Sequence, residues 1–168
     1  MTGPSDERIE ERLRELDTTR WRERKQVWAD LKHLGNRVVP YLAEYYPRAK
    51  KWQARATLVV WATPYARTSE DAFQLGLHAC RDRARLVRHR ACELLAYSLR
   101  KEALPRLKGL LDHPDPTTRE DAQAAIDAIV NRNHHLVRDR DHSGHVFWVV
   151  WPEDLPSGAP LMAHPRPR

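Results

Sequence analysis

The chain is predicted to be all-α, and three observations carry that prediction. Apolar residues recur at helical spacing, as in Ile9, Leu13 and Leu16 and again in Val27, Leu31 and Leu34. Glycine numbers only 6 in 168 residues, too few for the turn chemistry of a β-sandwich or barrel. No segment before residue 136 alternates apolar and polar side chains as a half-buried strand does. With 41% apolar and 31% charged residues, a chain of this length builds one packed domain under a polar surface.

The elements follow in order. Ser5, Thr18 or Thr19, Ser69, and Asp115 or Thr117 read as helix N-caps, since their oxygens can take up the free N–H groups of a first turn. Gly35 and Asn36 read as a C-terminal stop. About eight helices in four antiparallel pairs fit residues 5–133, joined by short loops. The pairs repeat. Blocks opening at Trp21, Trp52, Val87 and Thr118 begin the second helix of each pair, at offsets of 31, 35 and 31 residues. Val39-Pro40-Tyr41-Leu42 matches Leu104-Pro105-Arg106-Leu107 in the preceding helices. Units of this kind cannot bury their apolar faces alone and therefore stack.

The run from Ala103 to Ala122 carries Pro105 in the first helix, Asp112 at the turn, then Arg119 and Ala122 opening the second helix. Asp82, Val87, Arg88 and Ala91 repeat the pattern one unit earlier. This arrangement resembles the HEAT repeat, including its phycobilisome-lyase-like variants. The resemblance is strongest over 70–131, and Gln53 departs from it by standing where an arginine is expected. It implies an α-solenoid that binds proteins or, less often, nucleic acid, and it transfers no active site. It also implies that Arg22, Arg88 and Arg119 are the arginines that bond turn aspartates such as Asp82 and Asp112.

The charge is unevenly placed. Residues 18–100 hold 17 basic and 7 acidic side chains, between acidic flanks at 1–17 and 101–131. A second arginine column, Arg24, Arg55 and Arg90, joins Lys50, Lys51, Arg83 and Arg85 in a basic stripe along the stack, which reads either as a solvated face or as a track for phosphates. Trp21 and Trp52 stand beside these charges. Their equivalence to Val87 reads as core packing, while exposure would make them anchors for a partner. Trp28 and Trp61 read as core.

The tail changes character. Leu136 to Arg138 and Val146 to Trp151 are rich in strand formers and flank Asp139-Arg140-Asp141-His142-Ser143-Gly144. A β-hairpin over 134–155 that caps the last helical pair is predicted, with a flexible Pro/Arg tail from 156 to 168. Asp139, Asp141 and Ser143 copy the first half of a calcium loop, but the twelfth position is Val150, where a bidentate glutamate is needed. His134, His135, His142 and His145 match no zinc spacing. Cys80 and Cys92 read as small core residues in a reducing cytoplasm.

Signatures of catalysis are nearly absent: no glycine-rich phosphate loop, no nucleophile elbow, no His-Glu-x-x-His. Trp28-Ala29-Asp30 is the one fragment in common with HEAT-like DNA glycosylases. The apolar runs are too short for a membrane span, and the acidic, apolar-poor start is not that of a signal peptide. The expectation is a cofactor-free, non-catalytic interaction module for a protein with an acidic surface, the alternative being a nucleic-acid-binding solenoid.

Overall fold

In the computed structural model, which describes residues 5–158, α-helices run from Asp6 to Val130, and no strand forms among the described residues. The helices are α1 (Asp6–Arg14), α2 (Trp21–Leu31), α3 (Val39–Tyr45), α4 (Trp52–Ala62), α5 (Glu70–Ala79), α6 (Arg85–Ser98), α7 (Leu104–Gly109) and α8 (Pro116–Val130). Short 3₁₀ turns extend several of them. Two caps match the sequence reading: Ser69 Oγ accepts from Ala72 N–H, and the Asp115 carboxylate accepts from Thr117 and Thr118 N–H. Gly35, at φ 56°, breaks the run after α2, and Leu99 ends α6 in the left-handed region at φ 54°.

Consecutive helices pair as α1/α2, α3/α4, α5/α6 and α7/α8. Neighbouring pairs then meet through like helices: α1 packs on α3 and α3 on α5, while α4 packs on α6 and α6 on α8. The middle of this arrangement is α6. All residues from Ala91 to Ser98 are buried, because α4, α5 and α8 surround the helix and leave it no solvent face. Between α2 and α4 the rings of Trp28 and Trp61 stack, with centroids 4.6 Å apart at 16°.

The repeat is held by an arginine in the first turn of each second helix. Arg24 donates to Thr18 O at 2.8 Å, Arg55 to Ala49 O and Lys50 O at 3.3 and 2.8 Å, Arg88 to Asp82 O and Arg83 O at 2.9 Å, and Arg119 to His113 O and Pro114 O at 2.7 and 3.1 Å. Each guanidinium thus ties down the turn that leads into its own helix. Two of them reach the next pair as well. Arg55 forms a fork with Asp82, Nε to Oδ2 at 2.6 Å and Nη2 to Oδ1 at 3.1 Å, and Arg88 reaches Thr118 Oγ1 and Asp115.

These contacts set the register of the repeat at Arg24, Arg55, Arg88 and Arg119, separated by 31, 33 and 31 residues. The alignment expected from sequence was two residues out in the first two units. Arg22 is exposed and lies outside the column, and Gln53 replaces nothing, because Arg55 fills the arginine position. Asp112 is exposed, and Asp115 accepts from Arg88 in its place. In the same register, Thr18, Ala49, Asp82 and His113 are equivalent. Thr18, Asp82 and His113 each accept a backbone N–H two residues on, which Ala49 cannot do. The turn at Ala49 is instead held from the first pair, where the Asp17 carboxylate accepts Lys50 and Lys51 N–H at 3.0 Å. Arg24 therefore meets no carboxylate across the gap, and its buried Nε has no hydrogen-bond partner among the described residues.

The expected hairpin is not formed. His134–Val137 is a 3₁₀ turn, and residues 145–151 form neither helix nor strand. The polar groups that a ladder would pair are taken by side chains. Trp148 N–H donates to His135 Nδ1, His134 Nε2 donates to Trp148 O, and Val150 and Trp151 N–H both donate to Asp154. The segment lies as a strap on the later helices, with Trp151 Nε1 donating to Pro64 O and Tyr97 Oη donating to Asp154. Of the tail expected from 156, residues 159–168 lie outside the described residues.

Removing one partner of the buried Arg55–Asp82 pair strands the other charge. Asp82→Ala is expected to destabilise the fold by about 3–5 kcal/mol, a fall of roughly 10 °C in Tm measured by calorimetry.

Candidate functional site

The turns that lead into α2, α4 and α6 lie at corresponding positions in successive pairs, and they carry most of the expected site. Trp21 and Trp52 are the first residues of α2 and α4, 62% and 41% exposed. This corrects the expectation of core packing. In the arginine register Trp52 corresponds to Arg85, not Val87, and the equivalent of Val87 is the buried Ala54. Lys50 and Lys51 are exposed in the turn before α4, Arg83 in the turn before α6, and Arg85 as the first residue of α6. Arg20, Arg22, Lys25, Arg48 and Arg81 are exposed around them.

The stripe of Arg24, Arg55 and Arg90 does not exist as a surface. Arg24 and Arg55 are 9% and 8% exposed and are used inside the stack as described. Arg90 is half-buried and donates to Glu93 at 2.8 Å. What survives is an edge of two tryptophans ringed by lysines and arginines from the turns.

Backbone electrostatics act in the same sense as these side chains. The residues preceding α2, α4 and α6 are Arg20, Lys51 and Ala84, and none supplies a side-chain cap. The positive end of the helix dipole thus faces one edge at three helix N-termini, where carboxylates take only the N–H groups of Lys51 (by Asp17) and Ala84 (by Asp82) and Glu23 lies in the first turn of α2. At α8 the Asp115 cap closes the fourth N-terminus, and Asp112 and Glu120 lie exposed beside it, so the positive field stops there. An edge of this kind attracts an anionic surface.

A second polar cluster had one signal in the sequence, a glutamate inside the apolar run of α6. Glu93 is buried and faces Arg90, Arg138 at 2.6 Å and His89 at 3.5 Å. His89 Nδ1 stands 2.9 Å from Asp121, which also accepts from Arg140 at 2.7 Å. With a carboxylate at each ring nitrogen, His89 is an imidazolium. Its hydrogen bonds to Asp121 and Glu93 push its pKa up to about 9. Burial opposes the charge on Glu93, but the His89 hydrogen bond and the charges of Arg138 and Arg90 outweigh it, holding the carboxyl at about 2. Each cation in the cluster faces one of its two carboxylates, and the visible role of the cluster is to tie residues 138–140, which lead into the strap, onto α6 and α8.

The calcium-like loop is closed on itself. Asp139 Oδ1 accepts from Ser143 N–H and Oγ–H, and its Oδ2 accepts from Gly144 N–H at 2.8 Å, while Asp141 points outward as an exposed residue. Donors face the carboxylate where a cation would need lone pairs. No group of three His, Cys, Asp or Glu among the described residues is placed to hold a metal ion. His134, with Nε2 donating to Trp148 O and Nδ1 accepting from Arg67, is lowered to about 4 by burial and stays neutral. Cys80 and Cys92 are buried thiols. In the Trp28-Ala29-Asp30 fragment, Trp28 is committed to its stack with Trp61, and exposed Asp30 binds Gln26 and Arg12. No helix of the described residues is long and apolar enough to cross a membrane.

Among known proteins, no family model matches the chain, and no curated protein matches it.

The His89 cluster gives the fold a signature in pH. Its folded pKa of about 9 lies above the ordinary 6.5, so its contribution is complete below pH 6.5 and is lost as pH rises through about 9. Glu93, at about 2 against an ordinary 4.5, contributes above pH 4.5 and is lost as pH falls towards 2. Denaturant titrations of His89→Gln are expected to lose the alkaline decline between pH 6.5 and 9 that the parent chain shows.

Proposed function

We propose that this chain is a non-catalytic interaction module, a small HEAT-like α-solenoid of four helical pairs, that binds a protein partner with an acidic surface. The observation that carries this reading is the exposure of Trp21 and Trp52 at equivalent positions of successive pairs, inside a ring of cations. Large rigid aromatics at the centre and arginines at the rim are the anatomy of protein interfaces. Stacked helices lie about 8–10 Å apart, so both rings suit a single extended partner surface. The chain brings no cofactor to this role. Two buried thiols outside any disulfide fit a reducing compartment, the cytoplasm.

Binding of nucleic acid is the second reading, favoured by the number of exposed cations on the edge and by aromatic rings that can stack on bases. Loss of the Arg24–Arg55–Arg90 track weakens it, since two of those arginines are internal.

Both readings meet in one experiment. Labelled single- and double-stranded DNA and RNA are titrated with the chain at about 50 and 200 mM salt, alongside crosslinking of partners in cells. The protein reading expects partner crosslinks that survive the higher salt and vanish in Trp21→Ala/Trp52→Ala, with only weak, salt-sensitive nucleic-acid binding. Micromolar nucleic-acid affinity that is lost in the same variant would reverse the assignment.

A further inference from the structure

Between the second and third pairs the edge opens into a groove of about 630 Å³. Tyr46, Pro47 and Ala49 line one wall and His78 the other, and Arg48, Lys50, Arg81 and Arg83 stand around it. Its floor is the Arg55–Asp82 fork, with Tyr46 Oη donating to Asp82 at 2.6 Å. That floor is neutral as a unit, since the carboxylate of Asp82 is fully used by Arg55, Tyr46 and the Ala84 N–H.

The walls are not neutral. Arg48 has Glu44 at 3.5 Å, but Lys50, Arg81 and Arg83 have no carboxylate within ion-pair distance among the described residues. Nor are their backbones loose. Asp17 holds the turn of Lys50 by two backbone N–H groups, and Arg88 holds the turn of Arg83 by two carbonyls. The uncompensated charge is thus carried on turns that are already fixed, so little backbone ordering opposes the binding of an anion.

We infer that this groove is the site for a phosphomonoester, a phosphorylated side chain presented by the protein partner. The inference rests on the edge being the partner-binding surface. A carboxylate brings one negative charge and two acceptor oxygens to three cations. A phosphomonoester brings about −1.5 to −2 and three acceptor oxygens, and two of the three cations are guanidiniums whose forks match phosphate geometry. The groove is wide and open, so the group can enter on a side chain with its peptide lying across the rim beside Trp52. A continuous polyanion fits less well. The cations converge on one groove, and exposed Glu44 flanks it on one side while the turn before α8 is acidic.

The test uses O-phosphoserine and inorganic phosphate as probes on the full chain, at constant ionic strength, followed by two-dimensional NMR. Saturable shifts confined to amides of residues 48–51 and 81–84 are expected, with serine giving none. In Arg81→Ala/Arg83→Ala, whose side chains hold no part of the fold, affinity should fall at least about tenfold with Tm unchanged. Lys50→Ala supplies a second variant on the opposite turn, with a loss in the same direction. Shifts that never saturate, or equal affinity in the variants, would overturn the site, as would displacement of phosphoserine by a single-stranded oligonucleotide at lower concentration. Trp21→Ala/Trp52→Ala separates this inference from the reading beneath it. Phosphoserine binding should persist there while partner crosslinking is lost. If crosslinking depends on the tryptophans but phosphoserine does not bind, the edge stands and the phosphate site falls.

Discussion

One interaction recurs where each pair turns into its second helix: a guanidinium in the first turn donates back to the carbonyls of the preceding loop. Those carbonyls sit at the junction of two helices and, in the middle of the stack, beneath the next pair, where water reaches them poorly. Arginine answers the problem because its planar fork spans two acceptors at once and never loses its charge. Arg55 and Arg88 do more, carrying the same guanidinium across to the next turn. The geometry of the exposed edge follows from this. With Arg55 and Arg88 held inside, the turns they close are pushed outward, and Lys50, Lys51 and Arg83 on those turns can only face solvent.

The periodicity that predicted helices reported on burial, so helix positions could be read directly. Ile9, Leu13, Leu16, Val27, Leu31 and Leu34 lie in the core as their spacing required. The fine register could not be read the same way. Arg22 and Arg24 both sit in the opening turn of α2, and spacing alone does not distinguish the one that turns inward. A tryptophan at the start of a helix also resembles the valine of a neighbouring unit, although only the valine is buried. Fixing the column needed the carbonyls at Thr18, Ala49, Asp82 and His113, which are backbone atoms and leave no trace in composition.

The tail misled for a related reason. Val146 to Trp151 has the composition of a strand, but a strand requires a partner backbone, and here the available donors and acceptors belong to His134, His135 and Asp154. Side-chain hydrogen bonds won over a ladder because the strap has a helical surface to lie on, with Trp148 set against Tyr97 and His134. The buried Glu93 belongs to the same fastening. Without partners it would be costly in α6, and His89 and Arg90 on its own helix together with Arg138, far along the sequence, make its burial tolerable.

The alanine at position 49 has a consequence for how the molecule comes apart. The second and third pairs are riveted by a charged fork, and the third and fourth by Arg88 on Thr118 and Asp115, but the first pair is joined to the second through Asp17, an exposed Tyr41–Asp6 hydrogen bond, the Trp28–Trp61 stack and apolar packing, with a guanidinium nitrogen left idle at the seam. Cooperativity in a stack is only as strong as its weakest junction, so α1 and α2 form the natural unit of partial unfolding, and amide exchange should be fastest there. Trp21 rides on that unit and Trp52 on the firmer one beside it. A surface that grips both rings would couple its own affinity to the closing of this seam, and would pass stability to the end of the chain that holds least of it.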